Sequence, residues 1–199
     1  MRYITAAAIA LLIAISPASA QRVWKADLSH SQVKFSVTHL VIAEVTGKFN
    51  DFEVTLTQPG KDDFAGSRIE ATIKMASIDT DNEMRDKHLR SDDFFNAEMY
   101  PVMTFKSTKI EKAGAKNYTI TGDLTIRDVT RPVVLDATYM GEVKDSRGAV
   151  KSGFKATTSI NRFDYGVKWD KKIEAGGLVV GETVNITLLM ELALQNAGT

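Results

Sequence analysis

Residues 118–126, YTITGDLTI, place Tyr118, Ile120, Leu124 and Ile126 on one side of an extended chain and Thr119, Thr121, Asp123 and Thr125 on the other. Successive side chains of a strand point to opposite faces. Alternation of this kind therefore predicts a β-strand with one face in a core and the other in water. The same rhythm spreads in both directions. Downstream, Thr130-Arg131-Pro132 turns the chain into Val133, Leu135, Ala137 and Tyr139, and residues 145–148 turn it again into Val150, Phe154, Ala156, Thr158 and Ile160. After Gly176-Gly177 a last strand sets Val180, Val184, Ile186, Leu188, Met190 and Leu192 on one face. Upstream lie Met103 with Phe105, then Ile69, Ala71, Ile73 and Met75, then a run over 44–57, then Val33, Phe35, Val37 and His39. Within 44–57 the set Val45, Gly47, Phe49 is out of phase with Phe52, Val54, Leu56, so a bulge at Asn50-Asp51 is expected to bend that strand.

Eight strands with mostly short connections and no crossover helices predict an all-β antiparallel fold, either an up-and-down barrel or a sandwich. A barrel of that size is just wide enough to fill with side chains or to hold one ligand. Alternation does not say which face turns inward, since outer-membrane barrels put the apolar face outside. The lack of paired aromatic girdles at the strand ends favours an apolar interior.

One stretch breaks the rhythm: residues 77–101, SIDTDNEMRDKHLRSDDFFNAEMYP. Thr80 and Glu83 have the spacing of a capping box, with Asp79 and Asp81 supplying negative charge to the first turn. Met84 and His88, four apart, share a helix face, with Leu89 beside them. The expectation is a short helical insertion, about 80–97, between the third and fourth strands. A turn through Phe94 and Phe95 follows, and Tyr100-Pro101 ends the insertion because the residue before proline avoids the helical region. Met84, Leu89, Phe94 and Phe95 on such an insertion suit the cover of a cavity mouth.

Residues 1–20 read as a secretory signal peptide: Arg2 gives the basic start, residues 6–15 an apolar run, and Ala18-Ser19-Ala20 the cleavage pattern before Gln21. Residues 21–199 then form one domain of sufficient length for a substantial core. The full chain balances 25 basic against 25 acidic side chains, which leaves no long-range attraction for a nucleic acid. No apolar run is long enough for stable transmembrane insertion. Cysteine is absent, so an exported chain of this kind has neither disulfides nor thiolate chemistry.

The catalytic inventory is thin. There is no phosphate-binding glycine loop, nucleophile elbow or zinc-binding helix motif. Of the three histidines, His30 falls in the serine-rich turn Ser29-His30-Ser31, His39 continues the apolar face of Val33, Phe35 and Val37, and His88 sits on the insertion. A hydrogen-bonded core position is the reading for His39. For His88, a solvated helix surface and a headgroup contact stand side by side. No metal site is expected. The dense run Asn161-Arg162-Phe163-Asp164-Tyr165-Gly166 reads as a loop pinned by its own charges or as a polar contact, and Trp169 follows it.

These residues carry a resemblance to a known family. The chain is similar to the YceI-like family of exported lipid-binding proteins through His30-Ser31 with Phe35, Val37 and His39, through Gly47-x-Phe49-x-x-Phe52, and through Ser77-Ile78-Asp79-Thr80. The similarity continues through Arg85-Asp86-x-His88-Leu89, Asp93-Phe94-Phe95, Tyr100-Pro101-x-x-x-Phe105, Gly122-Asp123-Leu124-Thr125-Ile126, Val129-Thr130-Arg131-Pro132-Val133 and Arg162-Phe163-Asp164-Tyr165-Gly166. Asp128 departs from the glycine common before the Val-Thr-Arg-Pro turn. The resemblance implies a lipocalin-like eight-stranded barrel and a periplasmic location. It also implies an apolar cavity holding an isoprenoid lipid, either a quinone or a polyprenyl phosphate, no intrinsic catalysis and often a homodimer. Cavity residues are then expected to be Val37, His39, Phe49, Ile73, Met75, Phe105, Leu124, Ile126 and Phe154, with Met84, Leu89, Phe94 and Trp169 near the cover. Arg85, His88 and Arg162 are the expected headgroup contacts. Another long-chain amphiphile such as a fatty acid or its amide, and a stress-related interaction protein without lipid cargo, are the alternatives.

Overall fold

The computed structural model describes residues 21–61, 63–172 and 178–195. Residues 1–20, expected to be a signal peptide, Asp62, residues 173–177 with Gly176-Gly177, and residues 196–199 lie outside the described residues. Eleven strand segments form one antiparallel sheet that closes on itself: β1 (Arg22–Ala26), β2 (Gln32–His39), β3 (Ala43–Phe49), β4 (Phe52–Gln58), β5 (Arg68–Lys74), β6 (Ile78–Asp79), β7 (Val102–Lys112), β8 (Asn117–Ile126), β9 (Val129–Lys144), β10 (Val150–Asn161) and β11 (Val180–Leu194). The segments β1 and β2, β3 and β4, and β5 and β6 are broken halves of single staves, so the barrel has eight. It closes where β11 pairs with β2 over Val180–Leu189 and with β1 over Leu192–Leu194.

The predicted bend is present. β3 ends at Phe49 and β4 resumes at Phe52, both buried, and the neighbouring stave breaks at the same level in a 3-10 turn, Met75–Ser77. The two breaks are tied together by Asn50 N–H to the Ser77 carbonyl and Lys74 N–H to the Asp51 carbonyl. The apolar faces turn inward: Ile120, Leu124 and Ile126 of β8 are buried, whereas Asp123 is exposed. That is the reverse of an outer-membrane barrel. Among the described residues no helix is long and apolar enough to cross a membrane.

Alternation missed β1. Five residues with a single inward aromatic carry little periodicity, yet Trp24 has no exposed surface and its indole N–H donates to Gln58 Oε1 at 3.0 Å.

The insertion falls between the third and fourth staves, with one helix, α1 (Glu83–Arg90). Its cap differs from expectation. Asn82, not Thr80, accepts from Arg85 N–H, because Thr80 is buried at the end of β6 and bonds Asp86 through both its backbone N–H (3.0 Å) and its hydroxyl (2.5 Å). Asp86 and Leu89, three apart, face the barrel. Met84 and His88 do share a face, but it is the other one, about 200° round from Asp86 at 100° per residue.

Candidate functional site

Inside the barrel two apolar compartments lie end to end. The central one encloses about 140 Å³ and the one beneath the insertion about 100 Å³. Val33, Met103 and Ile186 line both, so they share a wall. The six inward residues of β11 run along the pair, with Ile186, Leu188, Met190 and Leu192 at the central compartment and Val180, Val184 and Ile186 at the outer one. Thr158 is the principal polar side chain on the central wall, and Arg162 and Lys34 border the outer one.

The barrel end away from the insertion is shut by Phe64. Its ring stands 4.8 Å from Phe154, 5.2 Å from Tyr139 and 6.2 Å from both Trp24 and Tyr118, centroid to centroid. In the sequence Phe64 lies between two alternating runs, in the short polar stretch Asp62-Asp63-Phe64-Ala65-Gly66-Ser67. A lone phenylalanine among Asp, Ala, Gly and Ser was the only signal that this loop folds inward.

At the other end Phe94 is buried under Trp169, ring centroids 5.3 Å apart, with His88 edge-on to both at 5.0 and 5.4 Å. His88 Nε2 lies 2.8 Å from Asp93 Oδ2. Arg127, which sequence reasoning passed over, donates through Nη1 to the carbonyls of Phe94 (3.2 Å) and Gly166 (3.0 Å), joining the insertion to the 162–165 turn. Its partners are backbone oxygens distant in sequence, which leave no trace in a residue pattern.

Among the expected cavity residues, Ile73, Phe105, Leu124 and Phe154 line the central compartment, and Val37, Phe49, Leu89, Phe94 and Ile126 line the outer one. Four stand elsewhere. Met75 is fully buried at the start of the 3-10 turn, outside both compartments. His39 is half-buried near the rim of β2, opposite Ala43 and Val180. Trp169 covers Phe94 from outside. Met84 is 83% exposed, which corrects its place at the cover and follows from the helix phase given above.

Two of the three expected headgroup contacts, Arg162 and Arg85, already have their guanidinium groups committed to oxygens of the protein. Arg162 is buried and spends Nε on the Gly181 carbonyl, Nη1 on those of Val167 and Trp169, and Nη2 on that of Val180, all at 2.8–2.9 Å. It staples residues 167–169 to the start of β11, and burial pulls its pKa below the ordinary arginine value against the opposing charges of Asp170 and Glu182. Arg85 is held by the Thr80 hydroxyl (2.7 Å) and carbonyl (2.6 Å). His88 keeps its ring at the mouth against Phe94 and Trp169, with Asp93 as its polar partner.

Away from the cavity, His30, Asp27 and Glu191 cluster on the outer wall. The Lys151 ammonium already lies between the two carboxylates, 2.8 Å from Asp27 Oδ2 and 2.7 Å from Glu191 Oε1, and holds the place a cation would take.

Residues 24–192 match the model of the YceI-like domain. This chain belongs to the YceI-like family. It is 42% identical over 163 residues to a UPF0312 protein of Photorhabdus laumondii, covering 81% of this chain and 83% of that one. Among solved structures, the YceI protein of Campylobacter jejuni superposes with a TM-score of 0.68 at 35% identity, covering 80% of this chain and 90% of that one. A polyisoprenoid binding domain from Saccharophagus degradans has the same fold, with a TM-score of 0.61 at 15% identity over 86% of this chain and 98% of that one. The matched region spans all but the outermost residues of the YceI-like barrel described above.

Proposed function

We propose that this protein is an exported, periplasmic carrier that holds the apolar chain of an isoprenoid lipid, a quinone or a polyprenyl phosphate, inside the barrel and performs no chemistry on it. The observation that carries the reading is the pair of narrow apolar compartments sharing Val33, Met103 and Ile186. Such a thread of space suits a slender, flexible chain and offers nothing to a polar solute. The solved relative described as polyisoprenoid-binding has the same fold, which supports the choice of cargo.

Affinity follows from area. An isoprene unit brings five carbons, and at about 0.8 kcal/mol per buried CH₂ it contributes at most about 4 kcal/mol. Association and ordering cost about 4–15 kcal/mol, so about four to six buried units leave a micromolar or tighter complex. The headgroup then sets orientation, and His88 beside Asp93 is the polar contact we assign to it at the mouth. Mass spectrometry of an organic extract of protein purified natively from the periplasm tests the proposal. A stoichiometric isoprenoid is expected. A fatty acid or amide would replace the cargo, and a repeatedly empty extract would overturn the carrier reading in favour of a surface-acting protein.

A further inference from the structure

The hairpin joining β2 to β3 ends in three consecutive apolar residues, Leu40, Val41 and Ile42, and the last two are 62% and 88% exposed. Leu40 and Val41 also have φ of +51° and +67°. Two-residue hairpin turns with positive φ at both positions are built most easily from Asn-Gly, and a β-branched residue is strained there. The hairpin thus keeps an unfavourable backbone at its tip and presents apolar side chains to water. No gain in folding accounts for either. A protruding tip of this size has no groove for a partner peptide, and three side chains offer far less area than a stable dimer needs.

The surroundings indicate what meets it. Leu40 N–H bonds the Val179 carbonyl, and Val179 N–H bonds that of Lys171, so the segment through Lys171 and Lys172 runs alongside the tip. Among the described residues Lys168, Lys171 and Lys172 are exposed there, with Asp170 in the same segment, Glu44 on β3 and Glu182 on β11 as the nearby acids. Trp169, with the Lys171 ammonium 5.8 Å from its ring, adds the aromatic residue typical of a bilayer interface. Apolar tip, interfacial tryptophan and the lysine pair Lys171-Lys172 beside them form the pattern of a surface that enters an anionic bilayer by a few ångströms. The tip also stands at the barrel end that carries the outer compartment, because Val37, Val180 and Val184 line that compartment just below it.

We infer that Leu40, Val41 and Ile42, with Trp169, Lys171 and Lys172, dock this protein on an anionic phospholipid bilayer with the mouth of the barrel facing the membrane. That the docked state serves cargo exchange rests on the carrier reading; the docking itself does not.

The test is flotation of the purified protein with phosphatidylethanolamine vesicles containing phosphatidylglycerol, and with phosphatidylcholine vesicles as the neutral comparison. Ile42→Asp is expected to lower partitioning about tenfold or more, and Lys171→Gln with Lys172→Gln to abolish the preference for the anionic vesicles. The double change Leu40→Asn, Val41→Gly separates docking from folding: it is expected to raise the melting temperature by relieving the turn while losing vesicle binding. Vesicles should also shift Trp169 emission to the blue, since Trp24 has no exposed surface and reports nothing. Equal flotation of wild type and both tip variants would overturn the inference. So would a concentration-dependent dimer abolished by Ile42→Asp without any vesicle binding, which would assign the tip to a second copy of the chain. Extracted cargo is measured in the same samples. Cargo present with no docking sinks only this inference, and docking with no cargo sinks only the carrier reading.

Discussion

The ring of Phe105 fills the space in front of Gly122: a Cβ atom there would stand 2.4 Å from Phe105 Cζ and 2.6 Å from the Lys106 carbonyl oxygen. Gly47 bears the same relation to Phe35, at 2.4 Å. In each case a glycine on one stave lets an aromatic ring from its neighbour lie close to the sheet and line a compartment. Gly122→Ala is therefore expected to cost about 1–3 kcal/mol in urea denaturation through overpacking. Phe105→Leu should recover part of that loss in the double variant, and strict additivity of the two changes would show that the contact does not govern the position.

Ala137 and Ala156 line the central compartment and are buried. Ala137→Phe and Ala156→Phe would each place a ring in space that is now open, so the stability change is expected to stay below about 1 kcal/mol, short of ordinary overpacking. Extracted lipid should fall sharply in both. Full retention of cargo by folded variants would show that the chain does not occupy this compartment.

Arg162 meets four carbonyl oxygens with a planar fork that an ammonium cannot reproduce. Arg162→Lys should accordingly behave much like Arg162→Met, each losing about 3 kcal/mol or more as buried carbonyls go unpaired. Near-normal stability in the lysine variant would mean that the geometry of the fork is dispensable.

The Lys151 ammonium, hydrogen-bonded to Asp27, holds that carboxyl down at about 2, with His30 and the Ser29 N–H contributing. A depressed carboxylate contributes stability that is full above its unfolded pKa, near 3.8, and lost as pH falls through about 2. Asp27→Asn should lower stability at neutral pH and flatten the decline between about pH 4 and 2. The Lys151 pKa is raised, chiefly by Asp27 and then Glu191, so its contribution persists at neutral pH and fades only in strong alkali. Melting curves across that acid range in wild type and variant check the prediction.

How far the chain could be read beforehand depended on what each residue answers to. The staves from Val33 onward were legible because each lies between a core and water, and that boundary writes itself as alternation. The insertion was legible as the place where alternation stops. β1 was not, since Trp24 alone carries its inward face. The cap of α1 was misplaced because Thr80 and Asn82 both suit the role, and only the burial of Asp86 against Thr80 chooses between them. Met84 was misplaced for a related reason: periodicity shows which residues share a helix face, and not which face meets the barrel.

From its residues alone, this chain specified an antiparallel all-β fold of eight staves, the bend near Asn50 and Asp51 and the position of the insertion. All of these are local, repeated signals summed over many positions. Closure of β11 onto β1 and β2, the inward turn of Phe64, and the commitment of Arg127 and Arg162 to carbonyl oxygens came only with the tertiary structure. Each joins segments far apart in sequence, and backbone carbonyls are the same at every residue, so no side-chain pattern can mark the ones that a buried guanidinium will find.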